Sequence, residues 1–376
     1  MRVSIVVPHI FMQDVLLSDV IFSPADLAIN LSEELIYLGH EVTLYTPGKV
    51  TTKVKNIVGD MSGFNDELNA RGYGFIELLK KHPLTFATLA RQVQADLIAR
   101  AYEDANNDEQ DIVHVYANEE DIGLQFARFC KKPVVFTHHD PFNLTIGYKN
   151  LFPKKKSLNY IAISEAQKQS MPDDTNWLAT IHHGLPLSRY REGSGKGDYV
   201  AFIGRIISSK GVHHAINAVN LYNKTANETL KLKIAGKYYQ DSYFEDYVKP
   251  HLNDQIEFVG FLRTTQEKQE LLGNARATLV PSVFEEPFGM VLIESLSCGT
   301  PVVGLDSGAI SEIIEDDKTG YGVAKSSDVK IAQDIASRIA DIAELSRKDC
   351  RIAFEQNYTS ERMAKDHIVA YQKLIK

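Results

Sequence analysis

Two groups of side chains have the types and spacing for chemistry on a phosphorylated ligand. The first lies in LVPSVFEEPFGMVLIESLSCGTPVVG (279–304). An apolar run ends at Pro281, and the carboxylates Glu285 and Glu286 follow it. Pro287, Phe288 and Gly289 then lead into MVLIESLS, a helix of about two turns closed by Gly299. A helix start presents free backbone N–H groups and the positive end of the macrodipole, which suits an anion. Gly289 lets a ligand approach the backbone closely. Glu294 lies on the helix body, with seven residues between it and Glu286. A carboxylate can accept two hydrogen bonds from a vicinal diol, as ribose and hexoses offer. Alone, each of these acids is an ordinary solvated helix-start residue. The second group is FIGRIISSKG (202–211), where Arg205 and Lys210 follow an apolar strand. Arg engages a diphosphate bidentately and Lys as a point charge.

These residues need elements that bring them together. Short β-branched runs at 4–8, 41–46, 111–116, 133–137 and 160–163 read as buried strands. The stretch 25–39 has helical periodicity and ends at Gly39, and the helical stretch after residue 75 breaks at Pro83. A second strand series runs through 199–204, 230–236, 256–260, 277–281, 301–304 and 320–323. Strand and helix in alternation imply parallel sheets covered on both faces. The expected class is α/β, with two doubly wound domains whose ligands bind at the carboxyl ends of strands, in the cleft between them. The polar, Gly-rich stretch 190–198 reads as the linker. Its GSGKGD resembles a Walker A loop, but lacks the first glycine and the Ser or Thr after Lys196. Neither half carries G-x-G-x-x-G, so a dinucleotide cofactor is disfavoured.

Composition narrows the classes. The chain has 376 residues, too many for one core, and a formal net charge of −8, which argues against a nucleic-acid partner. Three widely spaced cysteines form neither a disulfide framework nor a zinc site and fit a reducing cytosol. No apolar run approaches the ~20 residues of a membrane span.

The first string resembles the E-x7-E signature of the retaining glycosyltransferases of family 4, reading here from Glu286 to Glu294 with the SLSCGTPVVG continuation. GAISEIIEDDKTGYGV (308–323) follows the same family pattern. The resemblance is close over the second half and looser over the first. It implies the GT-B fold: an N-terminal acceptor domain over 1–190, a C-terminal donor domain over 191–357, and a last helix, 358–376, crossing back. It also implies a nucleotide diphosphate sugar as donor, most often UDP-linked, and a hydroxyl acceptor. In that reading Arg205 and Lys210 hold the diphosphate together with Phe288, Gly289, Met290 and Val291; Glu294 holds the ribose, and Glu286 the sugar. No cofactor and no metal ion are expected, the two cations standing in for one. The family places a histidine in a V-x-T-x-H context facing the donor sugar, and Val135, Thr137 and His139 match it. The same fold also serves sugar phosphorylases, nucleotide-sugar epimerases and non-catalytic partner subunits. The last of these would have lost Glu286, Arg205 or Lys210, and all are present.

Several features stand outside this scheme. No D-x-D separates a strand from a loop, and the pairs Asp173-Asp174 and Asp316-Asp317 read as turns. The pairs His138-His139, His182-His183 and His213-His214 are poor chelates, since adjacent residues diverge. The stretch 9–24 has no glycine where relatives have a Gly-Gly pair, and reads either as a specialised acceptor wall or as an ordinary packed loop. Lys80, Lys81, Arg91 and Arg100 sit among apolar residues, as in relatives that contact a membrane surface peripherally, although a packed helix with solvated cations reads better. A cytoplasmic location is the corresponding expectation, with peripheral contact to the inner face of a membrane as the weaker alternative.

Overall fold

The computed structural model describes residues 1–17, 20, 22–116, 120–226, 228–238 and 242–375. The chain divides into two units. Unit 1 comprises residues 1–163, 168–182 and 363–376; unit 2 comprises 164–167 and 183–362.

Unit 1 holds seven parallel strands: β1 (Arg2–Val6), β2 (Glu41–Thr46), β3 (Lys55–Val58), β4 (Ile112–Tyr116), β5 (Val134–Thr137), β6 (Asn159–Ala162) and β7 (Trp177–Thr180). Their order is β3-β2-β1-β4-β5-β6-β7. Val3 pairs with both Val42 and Ile112, which fixes the register at the centre of the sheet. The strand interiors are buried on both faces, as a parallel sheet covered by helices requires. Helix α1 (Ser23–Tyr37) starts two residues earlier than the periodicity predicts, with Pro24 in its first turn, where the missing N–H costs nothing. Helices α2 (Phe75–Lys81) and α3 (Pro83–Asn106) are broken at His82, just before Pro83. Val93, Leu97, Ile98 and Ala101 of α3 pack against Val113, Val115 and Phe136 of the sheet. Each such fully buried aliphatic side chain contributes roughly 1.5–3 kcal/mol.

Unit 2 repeats the plan with β8 (Tyr199–Ile203), β9 (Lys231–Ala235), β10 (Ile256–Gly260), β11 (Thr278–Val280), β12 (Val302–Leu305) and β13 (Gly320–Val323). The order is β10-β9-β8-β11-β12-β13, again all parallel. The helices that matter below are α4 (Val212–Thr225), α5 (Thr265–Asn274), α6 (Met290–Ser297), α7 (Asp328–Asp341), α8 (Arg347–Asn357) and α9 (Ser360–Gln372). The α9 helix begins in unit 2 and, from Met363 on, belongs to unit 1.

Two edge strands, β3 and β7, escape the sequence pattern. Neither is fully buried at any position, so neither carries a continuous apolar run. The stretch 190–198, linker-like in composition, is pinned within unit 2. The Gly193, Gly195 and Gly197 amides donate to the carbonyls of Cys298, Gly273 and Asn274 at 2.9, 3.0 and 2.8 Å. A Cβ on Gly193 would stand 2.1 Å from the Gly273 oxygen, so glycine here reflects close backbone packing rather than flexibility. The chain passes from unit 1 to unit 2 earlier, between His182 and His183.

Candidate active site

In both sheets the strand order reverses between the first and fourth strands of the unit, and such a switch point opens a crevice at the carboxyl ends. In unit 2 the switch lies between β8 and β11. Arg205 and Lys210 follow β8, and Glu285 and Glu286 follow β11, so both groups singled out in the sequence flank it. The two loops are joined. Ser208–Lys210 form a 3-10 turn closed by Gly211, at φ +71°. A Cβ on Gly211 would lie 2.0 Å from the Pro281 oxygen. The Ser209 carbonyl accepts from the Val283 and Phe284 amides at 3.0 and 3.2 Å and from Ser282 Oγ at 3.2 Å.

This seam places Lys210 Nζ on Glu286 Oε1 as an ion pair. Ser282 Oγ donates to the same oxygen at 2.7 Å, and Lys210 lies over the Phe284 ring, 5.3 Å from its centroid. Glu286 is 6% exposed. A carboxylate so far from water persists as an anion only when paired and hydrogen-bonded. Glu285, its neighbour, behaves differently: it is exposed, pairs with Lys325 and accepts from the Gly308 amide at 2.8 Å. The Glu286 carbonyl accepts from the Ala309 amide at 2.8 Å, fixing the loop after β12 against the same segment. Arg205 is exposed, and among the described residues it has no ion-pair partner. Its guanidinium is therefore available to an anion.

Gly289 has φ +90° and precedes α6, whose start no side chain caps. Gly289, Met290 and Val291 are half-buried, so their backbone lies near the surface. Phe288 differs: its ring is 2% exposed and packs edge-on against His183, with centroids 4.8 Å apart, so only its backbone can face a ligand. Glu294, 8% exposed, accepts from Lys268 Nζ at 2.8 Å and from Tyr190 Oη at 3.2 Å. Ser282, Lys268 and Tyr190 are thus part of the constellation, although the sequence reading did not name them. Ser282 was findable, because it stands four residues before Glu286 in the singled-out loop. Lys268 and Tyr190 carry no local signal. Lys268 sits on α5, a helix started by a Thr264–Glu267 capping box, and Tyr190 is 104 residues from its partner.

His138 and His139 follow β5 in unit 1. His138 is buried, with Nδ1 2.8 Å from Glu120 Oε1 and its ring among Phe142, Tyr148 and Phe152. Burial raises the pKa of Glu120. His139 turns the other way, edge-on to the Tyr116 ring at 4.8 Å. Desolvation lowers its pKa to about 3, so its imidazole is neutral at physiological pH. Thr137, also in the V-x-T-x-H string, is a buried partner of His114 Nε2 at 2.8 Å; His114 Nδ1 meets Tyr371 Oη of α9 at 2.7 Å. Of the glycine-free stretch 9–24, positions 18, 19 and 21 lie outside the described residues. The remainder has one helical turn, Asp14–Leu17, and His9 packs on Phe11 and Phe22.

Several other residues singled out in the sequence have partners within the chain. Asp174 pairs with Lys156 at 2.5 Å, and Asp316 accepts from the Gly322 amide at 2.7 Å. Lys81, Arg91 and Arg100 pair with Glu77, Asp121 and Asp96 at 2.5, 2.6 and 3.6 Å. Among the described residues no helix is long and apolar enough to cross a membrane.

Residues 188–353 match the family model of the glycosyl transferases group 1. An uncharacterised glycosyltransferase of Methanocaldococcus jannaschii is 24% identical, the match covering 91% of this chain and 92% of the relative. A glycogen synthase of Mycobacterium tuberculosis is 31% identical over 46% of this chain and 42% of its own length. Among solved structures, a sucrose-phosphate synthase of Thermosynechococcus elongatus superposes with a TM-score of 0.73 at 17% identity, covering 100% of this chain and 99% of that one. Anabaena HepE, in complex with UDP and glucose, gives 0.69 at 15% identity with full coverage of both chains (100% and 100%). The architecture is that of the GT-B glycosyltransferases. Residues 188–353 form a group 1 glycosyltransferase domain, and the chain is an enzyme of the glycosyltransferase class.

Proposed function

We propose that the enzyme is a retaining, metal-independent transferase of the family 4 type that moves a sugar from a nucleoside diphosphate sugar, UDP-linked by preference, to a hydroxyl acceptor. The observation that carries this reading is the seam at the switch point. There Lys210 pairs with Glu286, Arg205 stands on the same loop after β8, and α6 starts without a side-chain cap after the loop that follows β11. Departure of the nucleoside diphosphate breaks the bond between the anomeric carbon and a β-phosphate oxygen. The new negative charge falls where Arg205, Lys210 and the amides after Gly289 stand. Preorganised donors of this kind are worth ~3–4 kcal/mol each in a well-studied case. These cations perform the role a divalent ion has in other sugar transferases. Glu294, steadied by Lys268 and Tyr190, accepts from the ribose hydroxyls. Glu286, steadied by Lys210 and Ser282, accepts from the sugar hydroxyls and orients the ring.

Glu285 and Glu286 are each already engaged by a lysine, which makes either a poor nucleophile for a double displacement. The acceptor oxygen therefore attacks the face the diphosphate leaves, through an oxocarbenium-like ion pair, and its proton passes to the departing β-phosphate oxygen. The neutral His139 imidazole hydrogen-bonds the sugar or the acceptor. A thermal-shift panel of UDP-, GDP- and ADP-sugars tests the reading. A ligand at 100 times its dissociation constant adds ~2.7 kcal/mol of stability. The expected result is a shift with one nucleotide series and acceptor-dependent release of its diphosphate. No shift with any of them, or turnover that depends on inorganic phosphate without an acceptor, contradicts it.

A further inference from the structure

We propose that His213, His214 and Asp328 form a site for a divalent transition-metal ion of the zinc class, distinct from the groups assigned to the donor. Neighbouring histidines on a regular helix stand about 100° apart, which is why their spacing argues against chelation. Here the pair stands in the first turn of α4, after Gly211 and Val212. The two rings lie together, with centroids 3.9 Å apart. The first residue of α7 completes the group. Asp328 Oδ1 is 4.0 Å from His214 Nε2, and one donor atom from each of the three residues lies within 4.8 Å of the others. Donors about 2.0–2.1 Å from a tetrahedral zinc ion stand roughly 3.3 Å from one another. Closing the site takes a contraction of up to about 1.5 Å, to which the Asp328 side chain, 76% exposed, contributes its rotamer freedom.

Two further observations point to a ligand. His214 is buried and turns Nε2 towards Asp328, so a buried imidazole nitrogen and an exposed carboxylate face each other. His213 Nδ1 is held by Tyr243 Oη at 2.7 Å, which orients the ring and leaves Nε2 for an ion, as outer partners of metal-bound imidazoles do. Tyr243 itself heads a π-helical turn, Phe244–Val248, a distortion found frequently at functional sites. Two imidazoles and one carboxylate suit zinc, cobalt, nickel or copper ahead of magnesium or calcium. The ion would tie the first turns of α4 and α7 together, with its remaining positions open to water on the Asp328 side.

Calorimetric titration of the metal-free full chain with Zn²⁺ and Co²⁺, alongside melting curves, tests this. The expected result is one ion per chain, a raised Tm, and the visible absorption of nitrogen- and oxygen-ligated Co²⁺. Asp328→Asn and His213→Gln should each weaken binding by at least about tenfold, and Mg²⁺ should change nothing. The proposal is overturned if the wild-type chain takes up no ion, if Mg²⁺ competes equally with Zn²⁺, or if both variants bind as the wild type does. Should one variant melt early without metal, the other decides the question.

Discussion

At the residue scale, Glu286 is a carboxylate kept charged in a nearly dry place by one ammonium and one hydroxyl on the same oxygen. Removing the ammonium leaves the charge unbalanced. Lys210→Met should cost about 3 kcal/mol by denaturant unfolding, near the lower end for a broken buried pair, since Ser282 keeps its hydrogen bond. The double variant Lys210→Met, Glu286→Gln should regain most of that loss and still transfer no sugar. Recovery of stability without recovery of turnover separates the chemistry of the pair from its contribution to folding. Arg205 supplies the opposite case, being exposed and unpaired among the described residues. Arg205→Ala should leave the melting temperature within a degree or two while lowering kcat/KM by about 10²–10³. Near-normal turnover would remove Arg205 from the site.

At the scale of elements, the site depends on how two loops touch. Gly211 is where the loop after β8 meets the Pro281 carbonyl, and no side chain fits there. Gly211→Ala should part the loops, lowering both the yield of folded protein and donor affinity. Gly39→Ala is the control: φ is +86° there as well, but a Cβ meets nothing within 4 Å. It should cost only the ~1–2 kcal/mol of a left-handed alanine, with donor affinity unchanged in calorimetry. If both variants lose affinity alike, the contact with Pro281 is not what matters. The elements themselves were largely legible in the sequence. Strands such as β1, β4, β8 and β11 are covered on both faces and announce themselves as β-branched runs, and the Glu286–Glu294 string is contiguous. The edge strands β3 and β7, half open to water, leave no such trace. Lys268 and Tyr190 were not legible either, because they reach Glu294 from 26 and 104 residues away. The glycines of 193–197 misled in the other direction, since composition does not distinguish a flexible tether from a strap pressed against its own unit.

At the scale of the whole molecule, several histidines are withdrawn from water and resist protonation. Desolvation lowers the pKa of His9 to about 4 and of His139 to about 3. Their unfolded value is near 6.5, so above that pH neither state binds the proton. Below it the unfolded chain gains protons that the folded chain refuses. Stability should therefore fall as the pH drops from about 6.5 towards 4, by up to ~1.4 kcal/mol per pH unit for each group. Thermal melts between pH 7 and pH 4 should show that decline, with a shallower slope in His139→Gln; an unchanged slope would place this proton uptake elsewhere. Turnover, by contrast, should show no ionisation of His139 between pH 5 and 8.

The roles of Arg205, Lys210 and Glu294 all turn on where the leaving group sits. A crystal structure with the nucleoside diphosphate sugar bound should show the two phosphates on Arg205, Lys210 and the amides following Gly289, with the ribose on Glu294. Phosphates held by other residues, or gathered around a magnesium ion, would contradict the account.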